Sequence, residues 1–245
     1  MLWSNKRGTT MVDLYMRPLN ALLRQIEDRE YKLFSSSLSL VECAQGETLY
    51  HPGDVVDTVY FPCGPTLISV TIATEEDRDV DAVLIGREGA IGGVGSGVLP
   101  SYSSVLIRAG GPVAKLPVRK LSDVKHQSDK LRLLLERYSE YFFAQQSQSA
   151  ACNAAHSIEQ RAAKWILHII EHTGAEHITL THERLAGLLG IGRSYLSRVI
   201  QGLKAEGILE TARGEIRIRD RAALNRRSCA CNLWLKKHYA KVVLP

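Results

Sequence analysis

The sequence predicts an α+β chain in three parts: an N-terminal antiparallel β-roll or jelly-roll barrel, a long helix with a partner seam, and a C-terminal winged helix-turn-helix. Three observations carry this expectation. Between Leu40 and Val118, short runs rich in Val, Ile, Thr and Tyr alternate with turn residues. From Pro117 to Ala155 glycine disappears and apolar residues take helical spacing. Residues 180 to 209 then carry a cap, a helical run, a glycine and a second helical run, and an alternating stretch follows them.

A chain of 245 residues exceeds the usual span of one domain, and two are expected. Its apolar runs fall far short of the ~20 residues that cross a bilayer. The start "MLWSNKRGTT" lacks the apolar stretch of a signal peptide, so a cytoplasmic protein is expected. The net charge of +5 is unevenly placed: 15 of the 31 Lys and Arg, against 8 of the 26 Asp and Glu, fall from Ser157 onward. That third is basic while the rest is slightly acidic, as in a nucleic-acid-binding module joined to a sensing or assembly domain. The five cysteines are odd in number, widely spread and without a C-x-x-C pair, so no disulfide framework is expected. Cys229 and Cys231 could contribute to a soft-metal or redox site, but they read first as two reduced thiols, and no metal site or cofactor is assigned.

Taken in order, residues 17 to 34 place Leu19, Leu22, Leu23, Ile26 and Tyr31 at a spacing near 3.6 and read as one short amphipathic helix. The strand candidates "TVYFP", "LISVTIA", "VDAVLIG" and "SVLIRA" are separated by turns such as "HPGD", "CGP", "TEEDRD" and "GREG". In the long helical stretch, Leu131, Tyr138, Gln145 and Cys152 fall seven apart, as do Leu134, Tyr141, Gln148 and Ala155, which suggests a dimer seam. Ser157, with Gln160 three residues on, caps a further helix that ends near Gly174.

The most informative stretch is "LTHERLAGLLGIGRSYLSRVIQGLKAEGIL". Thr181 caps a short helix burying Leu185, Leu188 and Leu189; Gly190 supplies a left-handed residue, and Arg193 opens a second helix burying Leu196, Val199, Ile200 and Leu203. If that helix enters a major groove, Arg193, Ser194, Tyr195, Ser197 and Arg198 face the base edges, where Arg can hold guanine O6 and N7 together. In "ILETARGEIRIRD" two alternating strands flank a turn at Arg213 and Gly214, and this wing sets Arg217 and Arg219 toward the DNA backbone.

This arrangement resembles the Crp/Fnr family of bacterial transcription regulators, over nearly the whole chain from about Leu19. "QGETLYHPGDVVDTVYFP", with Gly46 and Gly53 at turns, resembles the opening of the family's cyclic-nucleotide-binding-like barrel; "GREGAIGG" resembles the approach to its phosphate cassette. The resemblance implies a sensor domain over 1–119, a dimerisation helix over 120–156, a winged helix-turn-helix over 157–228 and a tail over 229–245. It also implies a homodimer on a palindromic site in double-stranded DNA, RNA polymerase as a further partner, no membrane association, and base contacts from Arg193, Ser194, Ser197 and Arg198. The family's usual acidic residue between the two arginines is replaced by Ser194.

The effector is less legible. "GAIGGVGSGVLPSYSSV" packs five glycines into nine positions and marks Gly92, Gly93, Val94, Gly95, Ser103 and Ser104 as an effector pocket. The resemblance places the family's ribose-holding Glu at Gly93 and its phosphate-holding Arg near Ser103, so standard cyclic AMP chemistry is not expected. A haem- or cyclic-nucleotide-responsive regulator, and a ligand-binding or assembly protein that binds no DNA, are the alternatives. His51, and His168 with His172 at i and i+4, read as surface or internally satisfied histidines. No catalytic motif is present, and no enzyme activity is expected.

Overall fold

The computed structural model describes residues 17–74, 79–174, 177–178, 181–212 and 215–244. The opening decapeptide, most of the "TEEDRD" turn and the wing turn at Arg213 and Gly214 lie outside them. Two short helices, α1 (Ala21–Gln25) and α2 (Asp28–Phe34), lead into seven strands: β1 (Ser39–Cys43), β2 (Thr48–Tyr50), β3 (Thr58–Pro62), β4 (Leu67–Ala73), β5 (Asp79–Ile85), β6 (Ser104–Ala109) and β7 (Gly111–Pro117). Helices α3 (Val118–Gln127), α4 (Asp129–Ala155) and α5 (Ile158–Thr173) follow. The C-terminal part comprises β8 (His177–Ile178), α6 (His182–Leu189), α7 (Arg193–Ala205), β9 (Leu209–Ala212), β10 (Glu215–Ile218), α8 (Arg221–Arg227) and α9 (Cys231–Val242).

The expected single helix over 17 to 34 is two. Ile26 is extended (φ −71°, ψ 128°), and the Arg17 guanidinium donates to the carbonyls of Leu23 and Ile26, the latter of which a continuing helix would need for itself. Leu19 precedes the helix and is 58% exposed, whereas Leu22, Leu23 and Ile26 are buried. Asn20 caps α1 through Oδ1 and donates from Nδ2 to the carbonyls of Pro62 and Gly89, fastening this corner to the glycine loop.

The seven strands form two antiparallel sheets, β1-β7-β3 and β2-β6-β4-β5. They do not close, which corrects the expected barrel to an open roll. The chain passes from one sheet to the other between β6 and β7, at Gly110 and Gly111. A Cβ on Gly110 would stand 3.0 Å from the Cys43 carbonyl and the Gln45 nitrogen. Other cover replaces closure at the edges: Ile91 of the glycine loop exchanges backbone hydrogen bonds of 2.8 and 2.9 Å with Tyr60 on β3, and helices α4 and α6 pack on β5.

The long helix is broken at Ser128, which is extended (φ −140°, ψ 110°) and caps α4 at the Leu131 nitrogen. Its expected seam also turns inward. Leu131, Tyr138, Gln145 and Cys152 are each no more than 5% exposed, and Tyr141 joins them, because this face packs on the glycine loop and on α9. The stretch read as a tail thus contributes a helix to the core. Tyr239 stacks edge-on against Tyr141 at 4.8 Å and donates to the Glu88 carbonyl at 2.8 Å. On the opposite face of α4, Leu133 and Phe143 are exposed.

Candidate DNA-reading surface and effector pocket

The C-terminal part is organised around one core, in which Ile166 and Ile170 of α5, Leu185 and Leu189 of α6, Leu196 and Ile200 of α7, and Ile216 of β10 are buried together. Local signals set each helix. Ser157 and Gln160 form a complete capping box on α5, and Gly174 closes it in the left-handed region (φ 68°). Thr181 accepts from the Arg184 nitrogen, which uses its hydroxyl as a cap and holds it at the start of α6. Gly190 turns the chain at φ 66°, and α7 starts immediately after Gly192.

Because Leu196, Val199, Ile200 and Leu203 take the inner stripe of α7, its N-terminal outer face presents Arg193, Ser194, Tyr195 and Arg198, all exposed. Arg198 lies over the Tyr195 ring at 5.4 Å, and the Tyr195 hydroxyl donates to the Glu159 carboxylate at 3.4 Å, which ties the first turn of α7 to the start of α5. Glu159 itself is held below the usual carboxylate range, chiefly by its backbone and Ser157 hydrogen bonds at the N-terminus of α5. Ser197 differs from its neighbours: it is half-buried and hydrogen-bonded to His182 Nδ1 at 3.1 Å. Strands β8, β10 and β9 make an antiparallel sheet beside α7. Arg217 on β10 and Arg219 just after it are both exposed, and Arg219 is paired with Glu210 at 2.5 Å. Among the described residues, no ion pair engages Arg193, Arg198 or Arg217.

The glycine loop and α4 border an open-mouthed cavity of about 300 Å³, lined by Gly92, Gly93, Val94 and Gly95 with Tyr138 and Phe142. Ser103 and Ser104 do not line it; they lie at the start of β6, where Ser104 pairs with Thr71. The glycines answer to packing. A Cβ on Gly92, at φ 96°, would come within 2.3 Å of the Thr58 carbonyl, and one on Gly89 within 2.3 Å of the Tyr138 hydroxyl. That hydroxyl accepts from the Ala90 nitrogen at 2.8 Å and donates to the Ala90 carbonyl at 2.7 Å. Lys125 donates to the carbonyls of Val94 and Gly95, and no charged side chain lines the cavity among the described residues. Arg108, the next arginine along the chain, is paired at 2.5 Å with buried Asp81.

Glu88 and His172 join the sheets to α5. They form a 2.6 Å pair. Burial pushes the Glu88 carboxyl upward, yet the His172 charge and the Gly86 N–H hold it below its ordinary value; burial pushes His172 down, and Glu88 raises it above. His168, whose ring lies 4.1 Å from that of His172 at a tilt of 43°, is enclosed, and burial drives it well below the usual histidine value. The i and i+4 histidines are therefore internal, one of them neutral.

One cluster escapes a reading of the sequence alone. Cys152, His156, Cys229 and Cys231 bring a ligand atom each to within 4.8 Å of one another. The pair at i and i+4 on the end of α4, together with the C-x-C after α8, is the available signal, but 72 residues lie between the two.

The chain thus combines an open β-roll, a long helix and a winged helix-turn-helix whose α7 arginines have no ion-pair partner among the described residues. Residues 160–227 match the family model of the Crp-like helix-turn-helix domain. Among solved structures, FixK2 from Bradyrhizobium japonicum is similar at 15% identity and a TM-score of 0.68, covering 79% of this chain and 98% of its own. The c-di-GMP-responsive global regulator CLP of Xanthomonas campestris is similar at 16% identity and a TM-score of 0.64, covering 79% and 100%. A CRP-family transcriptional regulator from Thermus thermophilus matches at 21% identity and a TM-score of 0.61, covering 76% and 95%. No curated protein sequence matches significantly. Residues 160–227 thus carry a Crp-like helix-turn-helix domain, and the chain shares the fold of these solved regulators. Among the described residues, no helix is long and apolar enough to cross a membrane.

Proposed function

We propose that this chain is a transcription regulator of the Crp/Fnr type, a cytoplasmic homodimer that reads a palindromic DNA site through the outer face of α7 and acts on transcription through RNA polymerase. One observation carries the reading: Arg193, Ser194, Tyr195 and Arg198 stand together, exposed, on the first turns of α7, with neither arginine neutralised by a carboxylate among the described residues. Arg193 and Arg198 supply base contacts and Ser194 and Tyr195 supply base or phosphate contacts, while Thr181 at the start of α6, with Arg217 and Arg219 on the wing, touches the backbone. Ser197 acts indirectly, by fixing His182. In this reading residues 1–119 sense, 120–156 dimerise, 157–228 bind DNA, and 229–245 pack back on α4. Support for the dimer comes from exposed Leu133 and Phe143 on the outer face of α4.

The effector, on the same reading, is a small uncharged molecule held by Gly92, Gly93, Val94 and Gly95, because a cavity without a cation offers a cyclic phosphate no charge-assisted contact. A fluorescence-anisotropy titration of the dimer on a selected duplex tests the DNA reading: affinity falls steeply with added salt, and competitor DNA of unrelated sequence displaces the protein poorly. Equal competition by any duplex would refute base readout.

A further inference from the structure

We propose that Cys152, His156, Cys229 and Cys231 bind a single Zn²⁺ ion, which staples the α4–α5 junction to the α8–α9 junction. Two separations have the lengths that a tetrahedral zinc demands. The sulfurs of Cys152 and Cys229 are 3.7 Å apart, and the Cys231 sulfur is 3.7 Å from His156 Nδ1. Zinc–sulfur bonds of about 2.3 Å and a zinc–nitrogen bond of about 2.0 Å give tetrahedral edges of about 3.8 Å between sulfurs and about 3.5 Å from sulfur to nitrogen. A disulfide would need the sulfurs at about 2.05 Å. With all four atoms within 4.8 Å, one ion fits between them and an iron–sulfur core does not.

The surroundings are those of a ligand set. The three cysteines are buried at 0, 8 and 1% exposure and form a cluster of their own, apart from the aliphatic cores. Gln148 Nε2 donates to the Cys231 sulfur at 3.3 Å, a bond that strengthens on a thiolate. Arg161, on the first turn of α5, is 7% exposed, and its Nε has no hydrogen-bond partner. Binding of Zn²⁺ would release three thiol protons to solvent and leave three thiolates, one neutral imidazole and one dication, a net charge of −1 that the Arg161 guanidinium offsets.

The position gives the ion a structural task. Cys152 lies in the last turn of α4 and His156 caps that helix in extended backbone, so the two precede α5 by only a few residues. Cys229 lies in the link from α8 to α9, and Cys231 opens α9. Arg161 donates to the carbonyl of Leu189, the last residue of α6, at 2.8 Å, which connects the ion's surroundings to the turn of the helix-turn-helix.

The test uses the full chain, purified under reducing conditions without chelator from zinc-supplemented culture. Elemental analysis should find one zinc per chain; Cys229→Ser and Cys231→Ser should each lose most of it in competition with a chromogenic chelator, and Gln148→Ala should weaken retention about tenfold. Cys43→Ala, at a thiol buried among the strands, should keep it. Should the ligand variants fail to fold, Co²⁺ added to stripped wild-type protein should give tetrahedral visible bands and thiolate-to-cobalt charge transfer. A zinc-free protein with the spectrum of hydrated cobalt, undiminished zinc in the folded Cys229→Ser variant, or an intact-mass loss of two hydrogens from a Cys152–Cys229 disulfide would overturn the site. Metal content is read without DNA, so it stands or falls apart from the DNA reading.

Discussion

The first turn of α7 and the glycine loop are both short and both opened by glycines, yet their residues answer to opposite demands. On α7 the inner stripe is fully occupied by Leu196, Val199, Ile200 and Leu203, so Arg193, Ser194, Tyr195 and Arg198 are left free to face outward. In the loop the direction reverses: Gly89 and Gly92 exist because Tyr138 and the Thr58 carbonyl come too close for any side chain, and the loop's own carbonyls are taken by Tyr138 and Lys125. A surface pattern that survives after the core is satisfied points to a partner. A glycine pattern can equally point to the neighbouring helix.

The largest effect should come from breaking the loop. Gly92→Val would place a branched side chain at φ 96° against backbone at 2.3 Å and should lower unfolding free energy by about 3 kcal/mol or more in urea titration, whereas Gly97→Ala, at φ 80° with open space around it, should cost only about 1 kcal/mol. Equal costs would mean that the loop is not clamped on β3. Next in size, Arg198→Ala should weaken binding to the preferred duplex by about 1 to 3 kcal/mol and flatten the preference at one base pair, measured by anisotropy on single-substitution duplexes.

Acidity should act on the Glu88–His172 joint between the two regions. His172 is raised above its unfolded value of about 6.5, so its contribution is present below that pH and is lost as pH rises through the folded value. His168 is depressed, and its buried neutral ring costs stability as pH falls below about 6.5, when the unfolded chain takes up the proton. Glu88, held low, contributes above its unfolded value and stops contributing only in stronger acid. Thermal stability should therefore pass through a maximum near the ordinary histidine range, and His172→Gln should remove its alkaline flank. The smallest change is expected of Arg217→Ala, which should weaken all duplexes alike by less than about 1 kcal/mol and lower the salt slope by about one.

Where local signals decide, the sequence can be read directly. Ser157 with Gln160, Thr181, Gly174 and Gly190 all do the capping and turning their residue types favour, and four strand runs fall where alternation puts them. Tertiary context decides the rest. The helix break at Ile26 is fixed by Arg17, whose bonds to carbonyls six and nine residues away leave no periodic trace. The heptads of α4 are real, but they meet α9 and the loop, and a heptad does not say whether its partner is another chain or a later segment of the same one. Of the pocket residues, Gly92 to Gly95 converge on the cavity while Ser103 and Ser104 belong to a strand start. Of the cysteine cluster the sequence shows only the Cys229 and Cys231 half as a metal-ligating candidate, because the two distant pairs meet only after α4 and α9 have packed.

Selection of the wild-type protein against a library of random duplexes at moderate salt separates base readout by α7 from attraction by charge alone. The account predicts enrichment of an inverted repeat whose half-sites lie about one helical turn apart, each with a guanine placed for an α7 arginine. A folded protein that enriches no sequence would contradict it.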